Sequence, residues 1–311
     1  MKITASGDDL TFQCITAIIG GGSYQRITAF PSGNNFIMRK YRYYYFDEQN
    51  DDFANTGIKR KDLPEGYQYL PDDPLYKVAK PAVYYGAMPV ASWLLRRGMK
   101  VRLINCGVLD RRREMQKGFF IYGNHTSYLT DALTAPIAAF PRQCYTVVSP
   151  DALSVGGIRT LVRLLGALPT PSGLKGYIGF KCAIEELYLS GNAIAVYPEA
   201  HIWPKYNAIR SFSSASFAPV VKLGAPCYAK TTIYKKLPSG RTHPIVIFDG
   251  PFYPDPSLPP AKAREALRDR IYATMVVRVN EYGSSPDSRR KYIRVASPDL
   301  VRTEVTRKKS R

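Results

Sequence analysis

Two rhythms run through the apolar residues of this chain. Over 260–281, Ala263, Leu267, Ile271, Met275 and Val279 return every four residues, with Arg264, Glu265, Arg268 and Asp269 on the remaining positions. That is the period of a helix with one buried face. Pro259 and Pro260 suit its start, because proline fits the first helical turn. Elsewhere, short apolar runs predict strands: VRLINC from residue 101, GFFIYG from 118, CYTVVS from 144, AIAVY from 193, CYAKTTIY from 227 and HPIVIFDG from 243. Their β-branched and aromatic content and their length favour strand over helix. Between them, DALTAPIAAF from 131, GIRTLVRLLGAL from 157 and GYIGFKCAIEELYLSG from 176 predict helices, the last stopped by Gly191.

Strands alternating with helices predict an α/β fold, with a mixed, mostly parallel sheet flanked by helices. Residues 76–97 add an N-terminal amphipathic helical segment, interrupted by Pro81 and Pro89. Its Tyr84, Tyr85 and Trp93 precede Arg96, Arg97, Lys100 and Arg102, a sequence of rings and cations suited to a membrane interface. It falls short of the roughly 20 apolar residues of a spanning helix.

The organisation divides accordingly. Residues 1–37 are rich in Gly, Ser and Thr and have no period, and are expected to be an extension upstream of a natural start at Met38. Residues 38–75 form an irregular lead-in, 76–290 the main domain, and 291–311 a loose basic tail.

Charge narrows the partners. The 44 Lys and Arg against 25 Asp and Glu give a formal net charge of +19, which calls for anionic partners: a membrane surface, a phosphorylated substrate, an acidic carrier protein or nucleic acid. No nucleic-acid motif accompanies the charge, and the basic residues are scattered, so no nucleic acid is expected. The 5 cysteines are widely spaced, so neither a zinc site nor a disulfide framework is indicated.

Candidate chemistry gathers at strand ends. Only 3 histidines are present. One, His125, follows GFFIYG within NHTSYLTD, residues 124–131, and Asp131 closes that stretch. A carboxylate that fixes an imidazole makes it an effective base. On one continuous helix the two residues would not share a face, so the pair forms only if HTSY is a turn and the helix begins near Thr130 or Asp131. Otherwise Asp131 is a helix cap that never meets His125. Glu199, in AIAVYPEAHIWP, follows another strand. His243 opens a strand and reads as structural.

Four blocks taken together resemble a family. NHTSYLTD, GALPTPSGLKG (166–176), YPEAH (197–201) and FAPVVKLGAPCYAKTTIY (217–234) are similar, in order and separation, to the four motifs of the glycerol-phosphate acyltransferase superfamily, lysophosphatidate acyltransferase type. They span roughly 119–235. The chain is most similar to a bacterial branch with five residues between His and Asp and the motif YPEAH.

The resemblance implies an O-acyltransferase of phospholipid biosynthesis. His125 would deprotonate the hydroxyl of a lysophospholipid such as 1-acyl-glycerol 3-phosphate, and Asp131 would orient it. The acyl donor would be acyl-CoA or acyl-carrier protein, with no metal and no cofactor. The protein would sit peripherally on an anionic membrane surface, on the cytoplasmic face. Asn124 and Thr126 would lie against substrate. Glu199 would hold the acceptor or brace its loop. His201 would be an acid/base group, a substrate contact or packing beside Trp203.

The arginines of the second and third motifs are absent. Ser172 and Lys175 stand near the first place; Ile202 occupies the second, with Lys205 and Arg210 beyond. Those residues are the candidates to replace the missing cations, and their identity leaves the acceptor open: a different lipid or amine is the alternative.

Overall fold

The computed structural model describes residues 37–53, 62–64, 66–109, 117–154, 159–171, 173–238 and 242–309. Residues 1–36, which make up nearly all of the expected upstream extension, lie outside them, as does Ser172.

The elements run β1 (Ile37–Tyr45), α1 (Pro74–Trp93), β2 (Arg102–Ile104), β3 (Phe119–Gly123), α2 (Tyr128–Ala139), β4 (Cys144–Val148), α3 (Arg159–Leu164), β5 (Ala167–Pro169), α4 (Gly173–Leu189), β6 (Ala193–Val196), α5 (Ala218–Leu223), β7 (Cys227–Lys236), β8 (Thr242–Phe252), α6 (Pro260–Tyr282), β9 (Arg290–Arg294) and β10 (Arg302–Lys309). Seven strands form one sheet in the order β2-β8-β7-β3-β6-β4-β5. The β7–β8 pair is antiparallel and the other neighbours are parallel. This is the expected α/β architecture.

Alternate residues of each strand face opposite layers. Phe120 and Tyr122 of β3 pack with Ile184 and Leu187 of α4, Val220 of α5 and Leu267, Ile271 and Met275 of α6. Phe119 and Ile121 pack instead with Ala135 and Ala138 of α2 and with Leu95 just beyond α1. β3 is thus buried on both faces, which is why its sequence is an unbroken apolar run.

Three expectations change. α1 runs straight through Pro81 and Pro89 and continues as a single wider turn over Leu94–Gly98. The predicted helix over 157–168 ends at Leu164, and Ala167–Pro169 joins the sheet edge beside β4. The tail is not loose. β9 and β10 flank β1 in a separate three-stranded sheet, parallel on one side and antiparallel on the other. The irregular lead-in therefore begins as a strand. Tyr43 and Tyr292 of this sheet stack at 4.7 Å, and Tyr292 lies flat against Trp203 at 5.1 Å.

Candidate active site

β3 ends at Gly123, and the chain turns through residues 124–127 before α2 begins. Ser127 is the N-cap, its hydroxyl accepting from the Thr130 N–H at 3.4 Å. The helix therefore starts ahead of Thr130 and Asp131 rather than at them, and Asp131 falls in its first turn. From there the carboxylate reaches back over the cap. Its Oδ2 accepts from His125 Nδ1 at 2.9 Å and from the N–H groups of Thr126 and Ser127 at 2.9 and 3.0 Å. Its Oδ1 accepts from Lys230 Nζ at 2.8 Å. The two side chains meet because the chain turns through Ser127; the later helix start also expected from the sequence is not needed, since Asp131 reaches back from the first turn of α2.

A carboxylate only accepts, so Nδ1 of His125 carries the proton in this pair and Nε2 is left as the lone-pair nitrogen. Asp131 is wholly buried. Burial alone would raise its carboxyl; the Lys230 charge and the His125 hydrogen bond outweigh that and hold it at about 2. Asp131 is thus an anion at neutral pH. His125 is 18% exposed at its side chain, enough for one edge of the ring to be approached.

Tyr197, one residue beyond β6, stacks on the imidazole with centroids 4.7 Å apart. Its hydroxyl donates to the Asp131 carbonyl at 2.5 Å. A side chain on Gly123 would come within 2.8 Å of that tyrosine ring, so the strand must end in glycine for the ring to lie there.

Glu199 is 3% exposed and braces the loop. It accepts from the His125 N–H at 2.9 Å, and from the Arg210 N–H and Arg210 Nη2 at 3.0 Å each. Arg210 also donates to the carbonyls of His201 and Glu48 and lies 4.8 Å over the Trp203 ring. Ala200 takes φ 60°, a left-handed turn that glycine adopts more readily. The N–H groups of Trp203 and Lys205 close onto the carbonyls of His125 and Thr126 at 3.1 and 3.0 Å. The YPEAH loop and the His125 loop are thereby one unit.

Several expected substrate contacts are instead internal. Asn124 is fully buried, and its amide pairs with both backbone groups of Thr232 at 2.7 and 2.9 Å. Thr126 bonds the Tyr234 hydroxyl at 2.9 Å. Both brace the loop against β7. Arg210 is 1% exposed and has Glu199 as its ion partner, so it cannot reach an acceptor phosphate. Lys205 lies 3.9 Å from Asp287 and is largely covered. Lys175 is exposed at the start of α4. His201 is half-buried, 3.6 Å from Asp52. His243 lines a separate concavity of about 500 Å³ with Arg102, Lys235 and Tyr282. Among the described residues, no three His, Cys, Asp or Glu side chains gather as metal ligands.

Sequence reasoning missed Lys230, Tyr197 and Tyr234. For Lys230 a signal existed: a lysine set among the β-branched and aromatic residues of CYAKTTIY, well before the strand's polar end.

Residues 104–234 match the family model described as Acyltransferase. That segment belongs to the acyltransferase family. The matched stretch holds His125, Asp131, Glu199 and Lys230, while all of β8, all of α6 and the three-stranded sheet lie outside it. Among solved structures the chain is similar to the 1-acyl-sn-glycerophosphate (LPA) acyltransferase PlsC from Thermotoga maritima. The two share 18% identity over 70% of this chain and 86% of that one, with a TM-score of 0.47. No curated protein sequence matches the chain.

Proposed function

We propose that this protein transfers a fatty acyl group from a thioester, acyl-CoA or acyl-carrier protein, to the hydroxyl of a lysophospholipid such as 1-acyl-glycerol 3-phosphate. The observation that carries the reading is the 2.9 Å bond between His125 Nδ1 and Asp131 Oδ2 at the carboxyl end of a central strand. Nε2 of His125 takes the proton of the acceptor hydroxyl as its oxygen attacks the thioester carbonyl. The tetrahedral oxyanion collapses, the C–S bond breaks, and the imidazolium returns its proton to the leaving thiolate. Asp131 holds the tautomer and stabilises the imidazolium between these steps. The amides of Thr126 and Ser127 are committed to Asp131, and that of His125 to Glu199, so the oxyanion draws its donors from elsewhere.

Support for a membrane surface comes from α1. Its outward face carries Leu75, Val78, Val90 and Trp93, each at least 65% exposed, while its inward face buries Lys80. Tyr84 and Met88 are buried beside Lys80, so the helix is apolar on its outer face as well as on its inner one, unlike a helix that faces water. Arg96, Arg97 and Lys100 follow, exposed. Among the described residues no helix is long and apolar enough to cross a membrane. On this reading the helix lies on an anionic surface rather than through it.

The inward turn of Arg210, and the burial of Ile202 where the family's motif has arginine, favour a second reading, an acceptor whose head group is not a phosphate monoester. Product analysis by mass spectrometry separates the two, with lysophosphatidate and a panel of neutral and amine acceptors offered to one donor. His125→Ala is expected to lose about 10²–10⁴-fold in kcat while remaining folded. A loss under tenfold removes His125 as the base.

A further inference from the structure

Resting on that reading of the site, we propose that Lys230 is a positioning residue of the His125–Asp131 pair: its buried ammonium clamps the far oxygen of the carboxylate and offsets its charge, so that the carboxylate aims the imidazole with its field on the ring reduced.

Lys230 sits near the middle of β7, in a stretch buried from Cys227 to Tyr234. Its side chain is 0% exposed. Three partners surround the ammonium: Asp131 Oδ1 at 2.8 Å, Thr232 Oγ1 at 3.3 Å and the face of the Tyr197 ring at 4.8 Å. Taking an ammonium out of water is costly, and apolar residues of similar volume commonly replace buried ion pairs without loss of stability. Packing alone therefore gives no reason for a lysine at this place.

Its position relative to the base gives one. Oδ2 of Asp131 is occupied by the imidazole and two amides; Oδ1 is occupied by Lys230. With both oxygens held, the carboxylate cannot turn, and the ring it binds keeps its direction. The second effect is electrostatic. A buried carboxylate 2.9 Å from an imidazole favours the imidazolium, and a ring already protonated cannot act as a base. The ammonium on the far oxygen subtracts from that field. Other groups facing His125 do not replace it. From α2 there is Asp131 itself; from the loop after β6 there are the Tyr197 ring and Glu199, whose charge is matched by Arg210. Tyr234 of β7 bonds the neighbouring Thr126.

The test follows the ring nitrogens of His125 by NMR in histidine-labelled protein, beside the pH profile of kcat/KM. Lys230→Met is expected to move the ring midpoint and the acidic limb of the profile upward by about one unit, so that activity on that limb falls about tenfold with the donor KM unchanged. Lys230→Arg keeps the charge and is expected to keep the midpoint within about 0.3 unit. A folded Lys230→Met with an unmoved midpoint overturns the proposal. Where neither variant folds, the unaltered protein decides: the Lys230 amine must keep its proton throughout the range in which His125 titrates, and a neutral amine there overturns it. The His125→Ala variant separates the two claims. Transfer that survives in it removes the reading of the site. An inactive His125→Ala beside an unmoved titration in Lys230→Met removes only the role of Lys230.

Discussion

Asp131 joins four donors: an imidazole, two backbone amides and an ammonium. Its carboxyl is held at about 2, against an ordinary value of 3.8. A carboxyl depressed on folding adds stability above its unfolded value, and that contribution is lost as pH falls through the folded one. The window for Asp131 is therefore from about pH 4 down to about pH 2. Denaturant titrations of the wild type are expected to lose stability steeply across it. Asp131→Asn, which has nothing to protonate there, is expected to start lower and fall less steeply; parallel curves would mean that the carboxyl is not depressed. The same variant should lose much of the acyl-transfer rate at neutral pH, since an amide can present its NH₂ to the ring and select the wrong tautomer. At this scale the sequence was legible in part. His125 and Asp131 stood out because a histidine is rare here and both ends of the stretch are polar against an apolar strand. Glu199 was visible too, although its two roles stayed open until Arg210 was seen to claim it. Arg210 and Asn124 misled because a charged or amide side chain is read as exposed by default, and only tertiary packing turns it inward.

The elements show the same division between what is local and what is not. α6 was readable to within a residue, because its four-residue repeat is the imprint of a single buried face. The central strands were readable as apolar runs. The predicted long helix over 157–168 was not, because a short edge strand such as Ala167–Pro169 has no period of its own and is specified by its partner β4. β1, β9 and β10 were invisible for a related reason: their pairing joins residues about 250 positions apart, and it packs on the body of the protein through aromatic contacts with Trp203 that no local pattern announces. Two elements carry predictions. Ser127 caps α2, so Ser127→Ala should cost about 1 kcal/mol of stability, read by denaturant titration, and leave the chemical step nearly intact. A rate loss beyond tenfold would give the hydroxyl a chemical role. On α1, the Lys80 amine lies inside, 3.1 Å from Gln143 and 4.1 Å over the Tyr145 ring, and burial lowers it to about 8 from 10.5. Folding there penalises the charged form, so the penalty is full below about pH 8 and fades as pH rises to about 10.5. Lys80→Met should therefore stabilise the protein at pH 7 by roughly 1–2 kcal/mol and do little at pH 10.5. Destabilisation at pH 7 would show that the bond to Gln143 outweighs the burial of charge.

For the whole molecule, a formal charge of +19 and the outward apolar face of α1 act over different distances. Charge attracts an anionic bilayer within about a Debye length and is screened by salt. Apolar side chains act only on contact and persist in salt. If both operate, binding to vesicles containing anionic phospholipid should weaken between 0.1 and 0.5 M NaCl without vanishing, and should be weaker on neutral vesicles. Val90 and Trp93 are 66% and 65% exposed, so removing them leaves the protein core untouched. The double variant Val90→Asp, Trp93→Asp should keep its melting temperature within about 2 °C, as surface changes usually do, yet lose at least tenfold in vesicle affinity, since each site gives up buried apolar area and brings an anion to an anionic surface. Its activity should fall with an acceptor embedded in vesicles and hold with a short-chain acceptor free in solution, because His125 and Asp131 are on other elements. Equal sedimentation of the variant and the wild type with anionic vesicles would show that α1 is not the contacting face. A matching loss on both acceptors would show that its outward face serves the site directly rather than bringing it to the lipid.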